Sequence, residues 1–282
     1  MHGGGDPGTI EEWKRVAGTE RDSRRRSAYG SLALIFADMN LLVTAGNTLA
    51  PIDRVRGLTN VFTGRTGAAV ALHAHGRGHR VVLLTSRPDA VAAEPAERWT
   101  LLHYSTFDTL RHLMERCVRE GGHDAVIHSA AVSDYLAAGV YAPAAGTCFF
   151  PEDGAWGGPA DGPPRLADRA AAKVKSDEPE LWLRLVRAPK LIDLVRPAWD
   201  FRGLLVKFKL EVGVADARLL EVAERSRVHS AADLMVANTL EGASSHAFLG
   251  PLGGAYQRVG RGDLPARLLD ALETLYGEGS HG

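Results

Sequence analysis

Four stretches of the chain place residue types that hold anions at points where a strand gives way to a loop. The first runs from Gly46 to Gly67, opens after the apolar run NLLVTA, and is made largely of Gly, Thr, Asn, Asp, Arg and Pro. Glycines such as Gly46, Gly64 and Gly67 let backbone N–H groups approach an anion, and a helix starting beyond them adds partial positive charge. The spacing is not G-x-G-x-x-G, so the dinucleotide fingerprint is absent. Arg56 and Asn60 stand four apart, and one helical turn would set the cation and the amide on one face. The second stretch is HSAAVSDY, 128–135. Ala130 and Ala131 leave room for a flat ligand, and Asp134 can take Mg²⁺ through oxygen; equally, Ser133 or Asp134 would cap a following helix. The third is KVKS, 173–176, where Lys173 is a mobile point charge suited to a polyphosphate or simply a solvated surface lysine. The fourth pairs VKFKLE (206–211) with VANTLEG (236–242). Phe208 reads first as core, and Asn238 either reads a base edge or caps a turn. His128 reads as a satisfied core residue rather than a base. No H-E-x-x-H, C-x-x-C or G-x-S-x-G is present, so zinc protease, redox-pair and hydrolase chemistry lack motif support.

The elements that must position these residues alternate. Strands are expected over 40–45, 80–86 and 124–132, with helices over 67–79 and 106–122; the second helix carries apolar residues at 107, 110, 113, 114 and 117. The run 142–165 is rich in Pro and Gly and reads as a long unstructured loop, functional or disordered. Periodicity returns as a strand then a helix over 181–199, a strand over 201–211, a helix over 215–231 opened by Asp216, a strand running into a loop over 232–242, a hairpin over 247–260 and a closing helix over 262–277. This order predicts an α/β fold: a Rossmann-like, doubly wound, mostly parallel sheet with a C-terminal hairpin extension. In such a sheet ligands sit beyond the carboxyl ends of the strands, which gives the four stretches their weight.

The 282 residues are 45% hydrophobic and 24% charged with formal net charge -1, so a nucleic-acid backbone is not an expected partner. Two cysteines cannot build a disulfide framework, and a cytoplasmic location is expected. No apolar run is long enough to span a bilayer. Residues 1–28 read as a flexible or helical leader, with Trp13 and Val16 on one helix face and Arg24 to Arg26 as solvated surface. Residues 29–282 read as one α/β domain with a mobile active-site loop at 142–172.

Taken in order, TAGNT, APIDRVRGLTN, TGRTG, IHSAAVSDY, the lysine of KVKS, RAPKLIDLV, KFKLE and DLMVANTLEG resemble phosphopantothenoylcysteine synthetase (phosphopantothenate–cysteine ligase) from about Asn40 to Gly277. HSAAVSDY is most similar to the stand-alone bacterial form, and FKLE and VANTLE to the eukaryotic one. The resemblance implies a homodimeric ligase of coenzyme A synthesis. It would activate 4′-phosphopantothenate with CTP or ATP and Mg²⁺ and then join the acyl-nucleotidylate to L-cysteine. It implies Asn60 and Lys173 as catalytic residues, with Arg56, Asn60, Gly64 and Gly67 at the acid substrate. It further implies Gly46, Ala130, Ala131, Lys173, Pro189, Lys190, Leu191, Ile192, Phe208 and Asn238 at the nucleotide, and Asp134 at the metal. The chain departs from the family pattern at Phe62, where a small hydroxyl residue is usual, and at Asn47, where proline or glycine is usual. It also departs at Ser226 and Ser230, where the fused bacterial enzymes carry triphosphate lysines, with Arg225, Arg227 and His229 as nearby substitutes. These departures keep two alternatives in view: a paralogous amide-forming ligase for another acid or amine, and a catalytically silent nucleotide-binding regulator.

Overall fold

The computed structural model describes residues 38–91, 97–160 and 162–279, which fall within one compact unit, Ala37–Gly282. The leader expected over 1–28, with Trp13, Val16 and Arg24 to Arg26, lies outside the described residues.

In chain order the first strands are β1 (Asn40–Ala45), β2 (Leu49–Pro51), β3 (Gly57–Thr59), β4 (Arg80–Thr85), β5 (Trp99–His103) and β6 (Ala125–His128). Next come β7 (Tyr135–Pro143), β8 (Cys148–Phe150), β9 (Ala155–Gly157), β10 (Leu166–Asp168) and β11 (Trp182–Arg187). The last are β12 (Leu204–Glu211), β13 (Leu234–Thr239), β14 (His246–Leu252) and β15 (Ala255–Gly260). The helices are α1 (Arg65–Gly76), α2 (Phe107–Glu120), α3 (Ile192–Val195), α4 (Asp216–His229) and α5 (Leu264–Gly279).

The central sheet has eight strands in the order β15-β14-β13-β12-β6-β1-β4-β5. From β13 to β5 every pairing is parallel, and β14 and β15 add the antiparallel hairpin. The mostly parallel α/β fold and its C-terminal hairpin are therefore as the sequence predicts. β1 is apolar along nearly its whole length because both its faces are covered, as parallel strands require. Leu41, Val43 and Ala45 enter a core with α1 and α5, and Leu42 enters the opposite core with α2 and α3. α4 lies over that second face, where Leu219 and Ala223 meet Met235, Ala237 and Phe248. α2 starts where Thr106 Oγ1 accepts a hydrogen bond from the Thr109 N–H and Thr109 Oγ1 accepts one from the Thr106 N–H, a reciprocal cap. After β1 the chain builds outward through β4 and β5, then returns to place β6 on the other side of β1. The strand order reverses there, which opens a crevice above the ends of β1 and β6.

Three local expectations are corrected, and β5 and β7 stand where no element was expected. Arg56 and Asn60 do not share a helical turn: they flank β3, which pairs antiparallel with β2 in a small hairpin. In extended backbone residues four apart stand about 13 Å from one another, not one helical turn, so the cation and the amide are not neighbours. Ser133 and Asp134 cap no helix, since β7 follows them directly. β7 itself (YLAAGVYAP) and the edge strand β5 carry no clear strand signal; β7 is rich in alanine and glycine, which are poor strand formers, and is held extended by pairing with β10 and β11. The run read as unstructured contains the β8–β9 hairpin, where Phe149 faces Trp156 across the strands and Trp182 of β11 completes an aromatic cluster with ring centroids 4.6–5.2 Å apart.

Candidate active site

Above the carboxyl ends of β1, β6 and β12 lies a cavity of about 560 Å³. Its floor is main chain. Gly46 follows β1 and Gly64 caps α1, both at positive φ (93° and 74°). A Cβ at Gly64 would lie 2.6 Å from the Gly46 nitrogen and 2.8 Å from the Gly46 Cα, so the two turns touch backbone to backbone. The start of α1, Gly64 to Gly67, lines the cavity edge and has no side-chain cap and no acidic residue in its first turn.

The loop after β6 forms the adjacent wall and is held by threonines at the end of β1. Thr44 Oγ1 accepts from the Ala130 N–H at 3.2 Å and pairs with His128 Nδ1 at 2.9 Å. Thr48 Oγ1 accepts from the Ser133 N–H at 2.8 Å and donates to Ser133 Oγ at 3.0 Å. The wall is thus small side chains on a pinned backbone. His128 is buried, and its pKa is pushed down to about 4, first by burial and then by the neighbouring Lys207 charge. A neutral imidazole there is a fixed part of the wall, as the sequence suggests.

Most of the expected residues line this one cavity. Gly46, Gly64 and Gly67 lie at its floor, and Ala130, Ala131 and Asp134 on the wall after β6. Pro189, Lys190, Leu191 and Ile192 enter at the start of α3, Phe208 from within β12 and Asn238 from the end of β13. Phe62 also lines it. Among the described residues Asp134 is the only carboxylate in the lining, and no group of three or more His, Cys, Asp or Glu able to hold a metal occurs among them. One carboxylate fits Mg²⁺ held mainly by substrate phosphates and water rather than by a protein cage.

Asn60 is not in the lining but reaches its back wall, donating from Nδ2 to the Ala131 carbonyl at 3.1 Å. It is fixed there by Asn47, a buried residue whose Nδ2 donates to the Asn60 carbonyl at 2.5 Å and to Thr59 Oγ1 at 2.8 Å. Ser86 Oγ in turn donates to Asn47 Oδ1 at 3.0 Å. The departure at Asn47 therefore has a structural use: it clamps the β2–β3 hairpin to the sheet.

Arg56 and Lys173 line a different cleft, of about 660 Å³, with Val55, Val174, Lys175 and Asp177. Arg56 donates to the Val174 carbonyl at 2.6 Å and pairs with Asp53 at 2.7 Å, while Asp53 accepts from the Val174 N–H at 3.0 Å. The Arg56 guanidinium, with the Val55 and Val174 N–H groups behind it, holds the Asp53 carboxyl well below the usual carboxylate range. Lys173 itself is exposed.

Several lining residues go unmarked in the sequence reading: Ser129, Thr63, Thr66, Arg261, Lys207 and Lys209. Arg261 comes from the turn before α5 and donates to Thr66 Oγ1 in the first turn of α1. Nothing local in the sequence flags it. Lys207 did leave a signal, a charged residue inside the apolar strand VKFKL.

Comparison with known proteins agrees with this architecture. Residues 36–142 match the family model described as the DNA/pantothenate metabolism flavoprotein C-terminal domain. A coenzyme A biosynthesis bifunctional protein CoaBC from Thermococcus kodakarensis is 28% identical over 240 residues, covering 83% of this chain and 51% of that protein. The chain spans about half the length of the curated relatives it matches, or less. Among solved structures, the DNA/pantothenate metabolism flavoprotein from Streptococcus pneumoniae superposes with a TM-score of 0.67 at 25% identity, covering 84% of this chain and 99% of that one. A Cab2 variant in complex with phosphopantothenate-cysteine shares the fold, with a TM-score of 0.60 at 16% identity over 86% of this chain and 89% of that one. The resemblance to phosphopantothenoylcysteine synthetases is borne out. Among the described residues no helix is long and apolar enough to cross a membrane.

Proposed function

We propose that this chain is a nucleotide-dependent ligase of coenzyme A biosynthesis that joins 4′-phosphopantothenate to L-cysteine. A carboxylate does not acylate an amine at useful rates, so it must first be given a leaving group. In the proposed first step a carboxylate oxygen attacks the α-phosphorus of CTP or ATP. The bond from that phosphorus to the oxygen bridging it to the β-phosphate breaks, and pyrophosphate leaves with the electron pair. In the second step the cysteine amine attacks the acyl carbon, the bond to the nucleotide phosphate breaks, the nitrogen loses a proton, and the nucleoside monophosphate departs.

The observation that carries this reading is the gathering of Gly46, Ala130, Ala131, Lys190, Phe208 and Asn238 around one cavity at the point where the strand order reverses. In the proposed arrangement Phe208 and the two alanines take the flat base. Asp134 would hold Mg²⁺, which when bound neutralises phosphate charge. Asn60, already fixed against Ala131, orients the acyl-nucleotidylate. Arg56 and Lys173 lie in their own cleft on turns. Their roles at the acid substrate and the triphosphate call for closure of the 142–172 segment or for a site completed by a second copy in a homodimer.

Pyrophosphate release measured with phosphopantothenate, with and without cysteine, and with CTP and ATP in parallel, tests the reading. Release that depends on phosphopantothenate, together with cysteine-dependent formation of nucleoside monophosphate, supports it. Release only with a different acid replaces it with the paralogous ligase that Phe62 motivates. Nucleotide binding with no turnover of any acid leaves the regulator.

A further inference from the structure

His128 closes the strand that leads into the cavity wall, and the protein satisfies only half of its ring. It stands in register between Thr44 of β1 and Lys207 of β12, so the three side chains form a row across three parallel strands. The residue is 8% exposed and lines the cavity. Nδ1 lies 2.9 Å from Thr44 Oγ1. Among the described residues no hydrogen bond engages Nε2. Both ring nitrogens of His123 are closed off from solvent without a partner, whereas the His128 Nε2 opens onto the cavity.

Thr44 decides which nitrogen carries the proton. Its side chain is fully buried, and its Oγ1 accepts from the Ala130 N–H at 3.2 Å. Among the described residues its own proton has no acceptor other than His128 Nδ1. A buried hydroxyl proton left without an acceptor is costly, so Thr44 donates and Nδ1 accepts. The ring proton is then on Nε2, the nitrogen open to the cavity. Burial and the Lys207 charge keep the ring neutral, against the pull of Asp193 from α3.

A neutral N–H donor beside a buried cation suits an uncharged oxygen. An anion at the same point would be better met by an imidazolium, which Thr44 and Lys207 together disfavour. In the arrangement proposed above the base lies against Ala130 and Ala131, which follow His128 by two and three residues. The uncharged oxygens attached nearest to a base are those of its sugar.

We propose that His128 donates from Nε2 to a sugar hydroxyl of the bound nucleotide, with Thr44 as the positioning residue that sets the tautomer. This rests on the nucleotide-binding part of the ligase reading. It makes His128 a specificity residue for ribose, since a buried donor prepared for a hydroxyl is left unpaired when that hydroxyl is missing.

Calorimetric titration of the full chain with CMP and AMP, and with their 2′-deoxy and 3′-deoxy forms, tests the proposal. Wild-type protein is expected to prefer the ribonucleotide over one of the deoxy forms by about three- to tenfold, the scale of one neutral hydrogen bond. His128→Leu should abolish that preference by weakening the ribonucleotide alone. His128→Gln, whose amide nitrogen reaches about as far as Nε2, should keep most of it; His128→Asn, which reaches only as far as Nδ1, should not. Thr44→Val should lower the preference and Thr44→Ser restore it, a change in sugar selectivity that loss of a merely structural threonine would not produce. In a nitrogen-edited NMR spectrum of the wild type, Nε2 should be the protonated nitrogen of His128, and its signal should move on adding ribonucleotide. No sugar preference in the wild type, no binding of any of these nucleotides, or a folded His128→Leu protein that keeps the preference overturns the proposal. So does a proton found on Nδ1. If His128→Leu fails to fold, the Gln and Asn variants decide, and equal preference in the two overturns it. Monophosphate binding needs no acid substrate, so a ribose preference that depends on His128 in a protein inactive on phosphopantothenate refutes only the ligase reading. An active ligase indifferent to the sugar hydroxyls refutes only the role of His128.

Discussion

Around Gly46, Gly64 and Gly67 the wall of the candidate site is main chain, whereas around Arg56 and Lys173 it is charge carried on turns. A Cβ at Gly67 would meet Ser129 Oγ at 2.5 Å, Ala45 Cβ at 2.7 Å and the Thr44 carbonyl at 3.0 Å. Two of those three atoms belong to β1, a central strand that cannot yield without the sheet. The cleft beside Lys173 depends instead on Asp53, which ties the 53–56 turn to Val174 through one guanidinium and one N–H. The first region is shaped for recognition at fixed distances. The second can part and re-form by breaking a few hydrogen bonds, as a segment that closes over a substrate must.

The contrast can be broken most directly at Gly67. Gly67→Val is expected to abolish measurable nucleotide binding and to lower the melting temperature by roughly 5 °C or more, as overpacking against a rigid strand does. Calorimetry and a thermal melt read both effects, and intact binding would show that the wall is not rigid. Asn60→Ala is expected to reduce turnover by about a hundredfold, on the order of 3 kcal/mol in the barrier, with circular dichroism unchanged. Full turnover in that variant would remove Asn60 from the chemistry.

Acid acts at the rim through His128 and, away from it, through a second histidine, His123, which precedes β6 at the strand's other end. Burial pushes both His128 and His123 down to about 4, so between pH 6.5 and 4 the unfolded chain binds protons that the folded chain does not. Stability is therefore fully present above pH 6.5 and falls as the pH drops toward 4, by up to about 3 kcal/mol for each histidine. Urea midpoints at pH 7 and 4.5 measure the fall, and His128→Gln should flatten it. Lys173→Ala belongs to the other region. It should cut turnover by about tenfold, the scale of one charge-assisted contact, and leave the melting temperature where it was. The smallest effect is expected from Asp53→Asn, which should speed tryptic cleavage after Lys173 or Lys175 while the melt stays the same. Cleavage as slow as in the parent would mean that something other than Asp53 holds the turn.

The sheet was readable because its strands are buried on both faces. NLLVTA and RVVLLT are continuous apolar runs, and no arrangement but an interior strand or a buried helix accommodates them. α2 was readable from its period, with Phe107, Leu110, Met114 and Cys117 buried on one stripe. β7 was not, because Ala137, Ala138 and Gly139 carry no strand preference of their own and their extended form comes from β11, far along the chain. The Arg56–Asn60 spacing failed for a related reason. A four-residue gap makes two side chains neighbours only if the backbone is helical; along the extended β3 segment the same gap spans about 13 Å. At the site, small residues at strand ends pointed to the cavity, while Arg261 and Ser129 meet Thr66 and Gly67 only through the tertiary fold.

The aromatic cluster of Phe149, Trp156 and Trp182 has a spectroscopic consequence. Trp156 and Trp182 lie 4.6 Å apart at their ring centroids, close enough for their indole transitions to couple. Their strands, β9 and β11, stand on either side of the stretch that carries Lys173. A change in near-ultraviolet dichroism or indole emission on adding nucleotide would therefore report rearrangement in that part of the chain without any dye or label.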